Sequence, residues 1–193
     1  ISPKSFFQFM KSNLLIVALL FVFPAKDKLV KTKVGSDITV SIPESFFPMS
    51  PQDIAQRYPS VRQPIGAFTN EDRLVDFSIN ISATRWRTND IEIAKDFFKA
   101  SITNLYDRVD YIDEGIKEVN GLRYIYFEFD SRINGDKYTL DQRDSIRKYS
   151  YLMYLLINEK TIVISFNAPL QLKENWVEVA QEIMNSIKVK SSI

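Results

Sequence analysis

The segment ENWVEVAQEIMNSIKV, residues 174–189, follows a strand-like TIVISF (161–166) and a proline. Its apolar side chains Trp176, Val179, Ala180, Ile183, Met184 and Ile187 fall at i, i+3, i+4, i+7, i+8 and i+11, which is the spacing of one helix face. A stripe that regular needs an apolar surface to cover. Burying six such side chains contributes on the order of 10 kcal/mol before chain entropy is subtracted. The segment therefore reads as a helix laid on a sheet, and the sheet has to come from the preceding residues.

Short alternating runs supply it. KLVKTKV (28–34) and DITVSIP (37–43) flank Gly35-Ser36 as a hairpin, ended by Pro43. Residues 45–64 hold four of the eight prolines and read as irregular, except for helical turns in SPQDIAQRY with Ser50 as N-cap. IGAFTN (65–70) and RLVDFSINISATRW (73–86) form a second hairpin. In the latter, Val75, Phe77, Ile79 and Ile81 alternate with polar residues, which predicts one packed and one wetter face. The spacing of Ile91, Ala94, Phe98, Ile102 and Leu105 predicts a helix over 88–106, capped by Asn89 or Asp90. Two strands in 109–133 turn over Val119-Asn120-Gly121, and a last hairpin joins 149–158 to 160–168. The polar stretch 133–149 between them is a protruding loop.

Composition limits the chemistry. The chain of 193 residues has a net charge of +1, 45% hydrophobic residues and 25% charged ones. That is one folded domain with a short extension and no global pull toward nucleic acid. It contains no cysteine and no histidine. Disulfides, Cys- or His-ligated zinc and Ser-His-Asp or Cys-His nucleophiles are all excluded. Carboxylates, lysine and tyrosine remain as catalytic groups.

The N-terminal residues differ in texture from the rest. Leu14, Leu15, Ile16, Val17, Ala18, Leu19, Leu20, Phe21, Val22 and Phe23 form ten uninterrupted apolar residues between Lys11 and the KDK at 26–28. Three readings are open: a cleaved signal peptide, an uncleaved membrane anchor, or a buried element of the globular core. Ten residues suit a signal core better than a span of about 20, but Phe23 is large for a cleavage site after Ala25. The expectation is export, to the periplasm or cell envelope, with residues 1–27 as signal or inner-membrane anchor and 28–193 as the domain.

The order of elements resembles the Mog1/PsbP-like family of α+β sandwiches. The residues that carry the resemblance are DITVSIPESF (37–46), EVNGLRYIYFEF (118–129), and NEKTIVISFNAP (158–169) followed by the closing helix. The resemblance spans about 37–189. It implies a twisted antiparallel sheet of about six to eight strands covered by helices. It also implies a non-catalytic binding or assembly module with no cofactor. Histidine metal ligands known in the family have no counterpart here. Taken with the N-terminal run, it implies an accessory subunit of an envelope or membrane protein complex. The alternative is a carrier of a small apolar or lipid ligand held between the closing helix and the sheet.

Four clusters merit a position in the structure. Phe46, Phe47 and Met49, set among prolines, are either partner contacts on an irregular loop or plugs at a sheet edge. Arg85-Trp86-Arg87 has the make-up of an interface hot spot, or else closes one end of the core. Asp130, Asn134, Asp136, Asp141 and Asp144 offer oxygen ligands for Ca²⁺, but not at EF-hand spacing and with Arg132, Lys137 and Arg143 among them; a solvated loop is the stronger reading. Glu128 and Asp130 share one strand face as a carboxylate pair.

Overall fold

The computed structural model describes residues 27–59, 63–134 and 145–190, and tight turns set its registers. β1 (Leu29–Val34) and β2 (Ile38–Pro43) pair antiparallel, with Val34 opposite Ile38. Gly35 between them has φ +63°, a conformation glycine adopts without steric cost. β6 (Arg108–Val119) and β7 (Leu122–Ile133) close on Asn120-Gly121, at φ +51° and +83°. This is the backbone of a two-residue hairpin turn whose twist matches its strands. β8 (Ile146–Ile157) and β9 (Lys160–Pro169) turn in the same way over Asn158 and Glu159, both at positive φ.

With β3 (Phe47–Pro48), β4 (Gly66–Thr69) and β5 (Asp76–Ile81), these strands build a seven-stranded antiparallel sheet in the order β3-β4-β5-β9-β8-β7-β6. The closing helix, α3 (Lys173–Ser186), lies on one face together with the small sheet that β1 and β2 form with β10 (Lys188–Val189), in the order β1-β2-β10. Val179, Ala180, Ile183 and Met184 are buried there against Phe77, Tyr149, Met153, Leu155 and Phe166. The opposite face carries α2 (Ile91–Leu105), whose Ile91, Ala94, Phe98 and Ile102 cover Ile125, Phe127, Phe129 and Tyr154. The architecture is the α+β sandwich expected, with both faces of the central strands packed.

Several local expectations give way. The alternation in β5 left Ser78 on a wetter face; instead Ser78 is fully buried, its hydroxyl 2.8 Å from that of Ser165 on the neighbouring strand. The short helix α1 (Pro51–Arg57) leads to this spot. Ser50 caps it as read, and Asp53 completes a capping box; its Arg57 pairs with Asp76, and Tyr58 hydrogen-bonds Ser78. β5 stops at Ile81, five residues before the predicted end. At α2 a 3₁₀ turn over Thr88–Asp90 precedes the helix, and Asp90 makes no side-chain cap. Leu105, placed by its spacing on the buried stripe, is 68% exposed because it is the last residue of the helix. The polar stretch 133–149 is partly strand: β7 reaches Ile133 and β8 begins at Ile146.

The end of the chain does more than cover the sheet. Ser186 accepts the backbone N–H of Ser41 on β2 at 2.9 Å. Ile187 is fully buried, its carbonyl accepting the Asn120 side-chain amide at 2.7 Å. Lys188–Val189 then adds to β2 as β10. The Ser-Ile-Lys-Val ending thus joins α3 to the small sheet and to the β6–β7 turn.

Candidate functional site

The proline-rich loop is built inward. Phe46 is buried with its ring 5.5 Å from that of Trp176, and Met49 is buried as well. Phe46 joins the core at the start of α3, and the burial of both side chains fits the plug at the sheet edge rather than a partner contact. Phe47, in β3 opposite Thr69, stays half-exposed.

Arg85-Trp86-Arg87 stands differently. The segment leaves β5 and leads into α2, so its side chains lie beside that helix. Trp86 is half-buried, 5.4 Å from the Phe97 ring and 6.3 Å from that of Phe98. Its indole Nε1 is buried without a hydrogen-bond partner. Arg85 and Arg87 are exposed on either side of it. Phe97 (43% exposed) and Ile93 (65%) extend the patch one turn along α2. Large aromatic and apolar side chains flanked by arginine are the make-up of interface anchors. Phe97 and Ile93 were missed because the helix was read only for its buried stripe. The signal was present: Phe97 precedes Phe98, and adjacent helix positions lie about 100° apart, so one of two neighbouring phenylalanines has to leave the core.

The carboxylate pair is placed under α3 and separately engaged. Glu128 is 4% exposed; it accepts the Tyr149 hydroxyl at 2.8 Å and the Gln181 amide at 3.3 Å. Burial raises the Tyr149 phenol, and its bond to Glu128 raises it further. Nearby, Lys117 donates to Tyr151 and Asn185, each at 2.8 Å. Burial lowers the Lys117 ammonium, and Glu128 and Asp113 partly offset that. Asp130 pairs with Lys173 at 2.7 Å. Each carboxylate therefore has its own partner, and these bonds tie α3 to β6, β7 and β8.

Of the suggested calcium ligands, Asp130 sits on β7 in its pair with Lys173, and the Asn134 backbone N–H donates to Asp107 at 2.6 Å. Asp136, Asp141 and Asp144 lie outside the described residues, as do residues 1–26 with the apolar run Leu14–Phe23. Among the described residues no helix is long and apolar enough to cross a membrane, and no group of acidic side chains is arranged to hold a metal ion. The interface where a carrier would hold its ligand is filled by the protein's own side chains: Val179, Ala180, Ile183, Met184 and Ile187 are all buried there.

A seven-stranded antiparallel sheet packed between α2 on one face and α3 with a three-stranded sheet on the other is the Mog1/PsbP-like fold. The structure of cyanobacterial PsbP (CyanoP) from Synechocystis sp. PCC 6803 superposes with a TM-score of 0.58, covering 86% of this chain and 94% of that one at 10% identity. The Saccharomyces cerevisiae Ran-binding protein Mog1p superposes with a TM-score of 0.54, covering 84% and 96% at 15% identity. No protein-family model and no curated protein matches the sequence. At these identities the likeness establishes the fold, and function has to be argued from the surface.

Proposed function

We propose that the protein is a non-catalytic accessory or assembly subunit of a cell-envelope protein complex. In this reading residues 1–27 serve as export signal or inner-membrane anchor, and the domain 28–193 meets its protein partners. The observation that carries it is the Trp86–Phe97 patch: aromatic side chains left at the surface, beside Ile93 and between Arg85 and Arg87. Such a surface fits a partner with an apolar pocket rimmed by carboxylates. The likeness in fold to a protein described as Ran-binding supports the protein-partner part of the reading. The apolar run at 14–23 supports the envelope part. The private pairing of Glu128 with Tyr149 and Gln181 supports a structural rather than catalytic use of that carboxylate.

The test is native electrophoresis of the full chain extracted in mild detergent from membranes of its own organism. The expected result is migration within a larger assembly, shifted to the monomer position by Trp86→Ala with Phe97→Ser while circular dichroism stays unchanged. Extraction without detergent as a lone monomer overturns the reading.

A further inference from the structure

At the end of the large sheet beyond α3, three arginines stand in one cross-strand row. Arg108 on β6 is in register with Arg132 on β7, and Arg132 with Arg147 on β8. Directly opposed residues of antiparallel strands project to the same face with Cβ atoms about 5 Å apart, and like charges in that position repel. The next row along is Asp110, Asp130 and Tyr149. Asp110 pairs with Arg108 at 2.8 Å, and Asp130 pairs with Lys173 through Oδ2 at 2.7 Å, while its Oδ1 is buried without a hydrogen-bond partner. Arg132 and Arg147 have no carboxylate partner among the described residues. The Arg132 Nε–H is moreover buried without an acceptor. A buried donor left unpaired costs roughly 1–3 kcal/mol, and more when it belongs to a charged group. Arg108, Arg132 and Arg147, together with Asp110, Asp130, Ser131 and Leu170, line an open cleft of about 230 Å³, several water molecules' worth of space.

We infer that this cleft binds a single oxyanion of the phosphate class, held by Arg132 and Arg147 with Arg108 at its rim. A tetrahedral oxyanion supplies what the row lacks: acceptors for the guanidinium groups that line the cleft and a negative charge between them. Guanidinium binds such a group through paired N–H donors, which ammonium does not. The charge is compensated on two strands at once, so binding also stabilises the β7–β8 end of the sheet. A free phosphate and a lipid phosphodiester share this chemistry.

Thermal unfolding of the full chain in a non-coordinating buffer, titrated with sodium phosphate at constant ionic strength, tests it. The melting temperature is expected to rise saturably with phosphate, and not with chloride. Arg132→Gln and Arg147→Gln are expected to weaken the apparent affinity about tenfold or more each, and Lys33→Gln, on exposed β1, to leave it unchanged. Arg147 is exposed and Arg132 half-buried near the ends of their strands, and loss of repulsion is expected to leave the phosphate-free melting temperature of the variants equal or higher. Co-sedimentation with vesicles of phosphatidylglycerol, compared with phosphatidylcholine, assigns the source. Retention on the anionic vesicles that is lost in Arg132→Gln points to a headgroup, and phosphate response without retention to a soluble ligand. No saturable response to either probe, or an equal response in Arg132→Gln, overturns the inference.

Discussion

The Tyr149 hydroxyl donates to Glu128 Oε1 at 2.8 Å beneath α3, where both residues are buried. A carboxylate withdrawn from water persists only if its oxygens are bonded. Here Tyr149, diagonal to Glu128 across β7–β8, and the α3 residue Gln181 supply the bonds. The pair joins the sheet to its covering helix, so its removal should register as lost stability.

Tyr149→Phe leaves that face of Glu128 without its donor and is expected to cost about 1–3 kcal/mol. Tyr124 provides the contrast. Its hydroxyl is buried with no partner, so Tyr124→Phe removes an unpaired polar group and is expected to be neutral or to stabilise by about 1 kcal/mol. Urea unfolding of the two variants in parallel checks this; equal effects refute the assignment.

Alkali should act through the same residues. Burial pushes the Tyr124 phenol up to about 12 and raises Tyr149, Tyr151 and Tyr154 as well. Above pH 10 the unfolded chain has released these protons while the native state still holds them. Fewer protons are then bound to the unfolded state, so stability falls as pH rises from about 10 toward 12. Tyr124 alone accounts for a loss on the order of 3 kcal/mol across that window. Absorbance at a tyrosinate wavelength should rise in two phases, the second coinciding with loss of the circular dichroism signal. Full ionisation with the fold intact would contradict the prediction.

Gly66 is held by contact rather than by backbone conformation. A Cβ there clashes with Val34 Cγ1 and meets Phe68 Cε2 at 3.2 Å, where the two sheets approach. Gly66→Ala is expected to cost about 1–3 kcal/mol. Adding Val34→Ala should recover part of that, giving a favourable coupling in a double-mutant cycle. Strict additivity would show that the clash is relieved elsewhere.

These sites differ in how far the sequence announces them. The α3 stripe from Val179 to Met184, the Asn120-Gly121 turn and the Ser50 cap follow from local spacing and turn chemistry, whereas Ile187, read as part of the helix face, is buried in extended backbone beyond the helix end. The burial of Ser78 and Glu128 was not legible, because a polar residue is buried when a distant segment covers it: Tyr58 for one, α3 for the other. The arginine row is of the same kind. Arg108, Arg132 and Arg147 are scattered in sequence and meet only through the registers of β6, β7 and β8. Phe46 and Met49 were ambiguous for the converse reason, since a loop sequence does not tell which way its apolar side chains turn.

The Ser-Ile-Lys-Val ending supplies the last test. A helix that merely covers a sheet would tolerate change after its final turn. Here Ile187 is fully buried and its carbonyl holds Asn120 of the β6–β7 turn, while Lys188 points to solvent in a two-residue strand. Ile187→Ala is therefore expected to cost about 2–5 kcal/mol, as for a core position. Lys188→Ala should stay within about 0.5 kcal/mol. Hydrogen exchange adds a spatial readout: in Ile187→Ala the β2 amides should lose protection along with those of α3, because Ser186 and β10 tie the two together. Loss confined to α3 would mean that the small sheet is anchored independently.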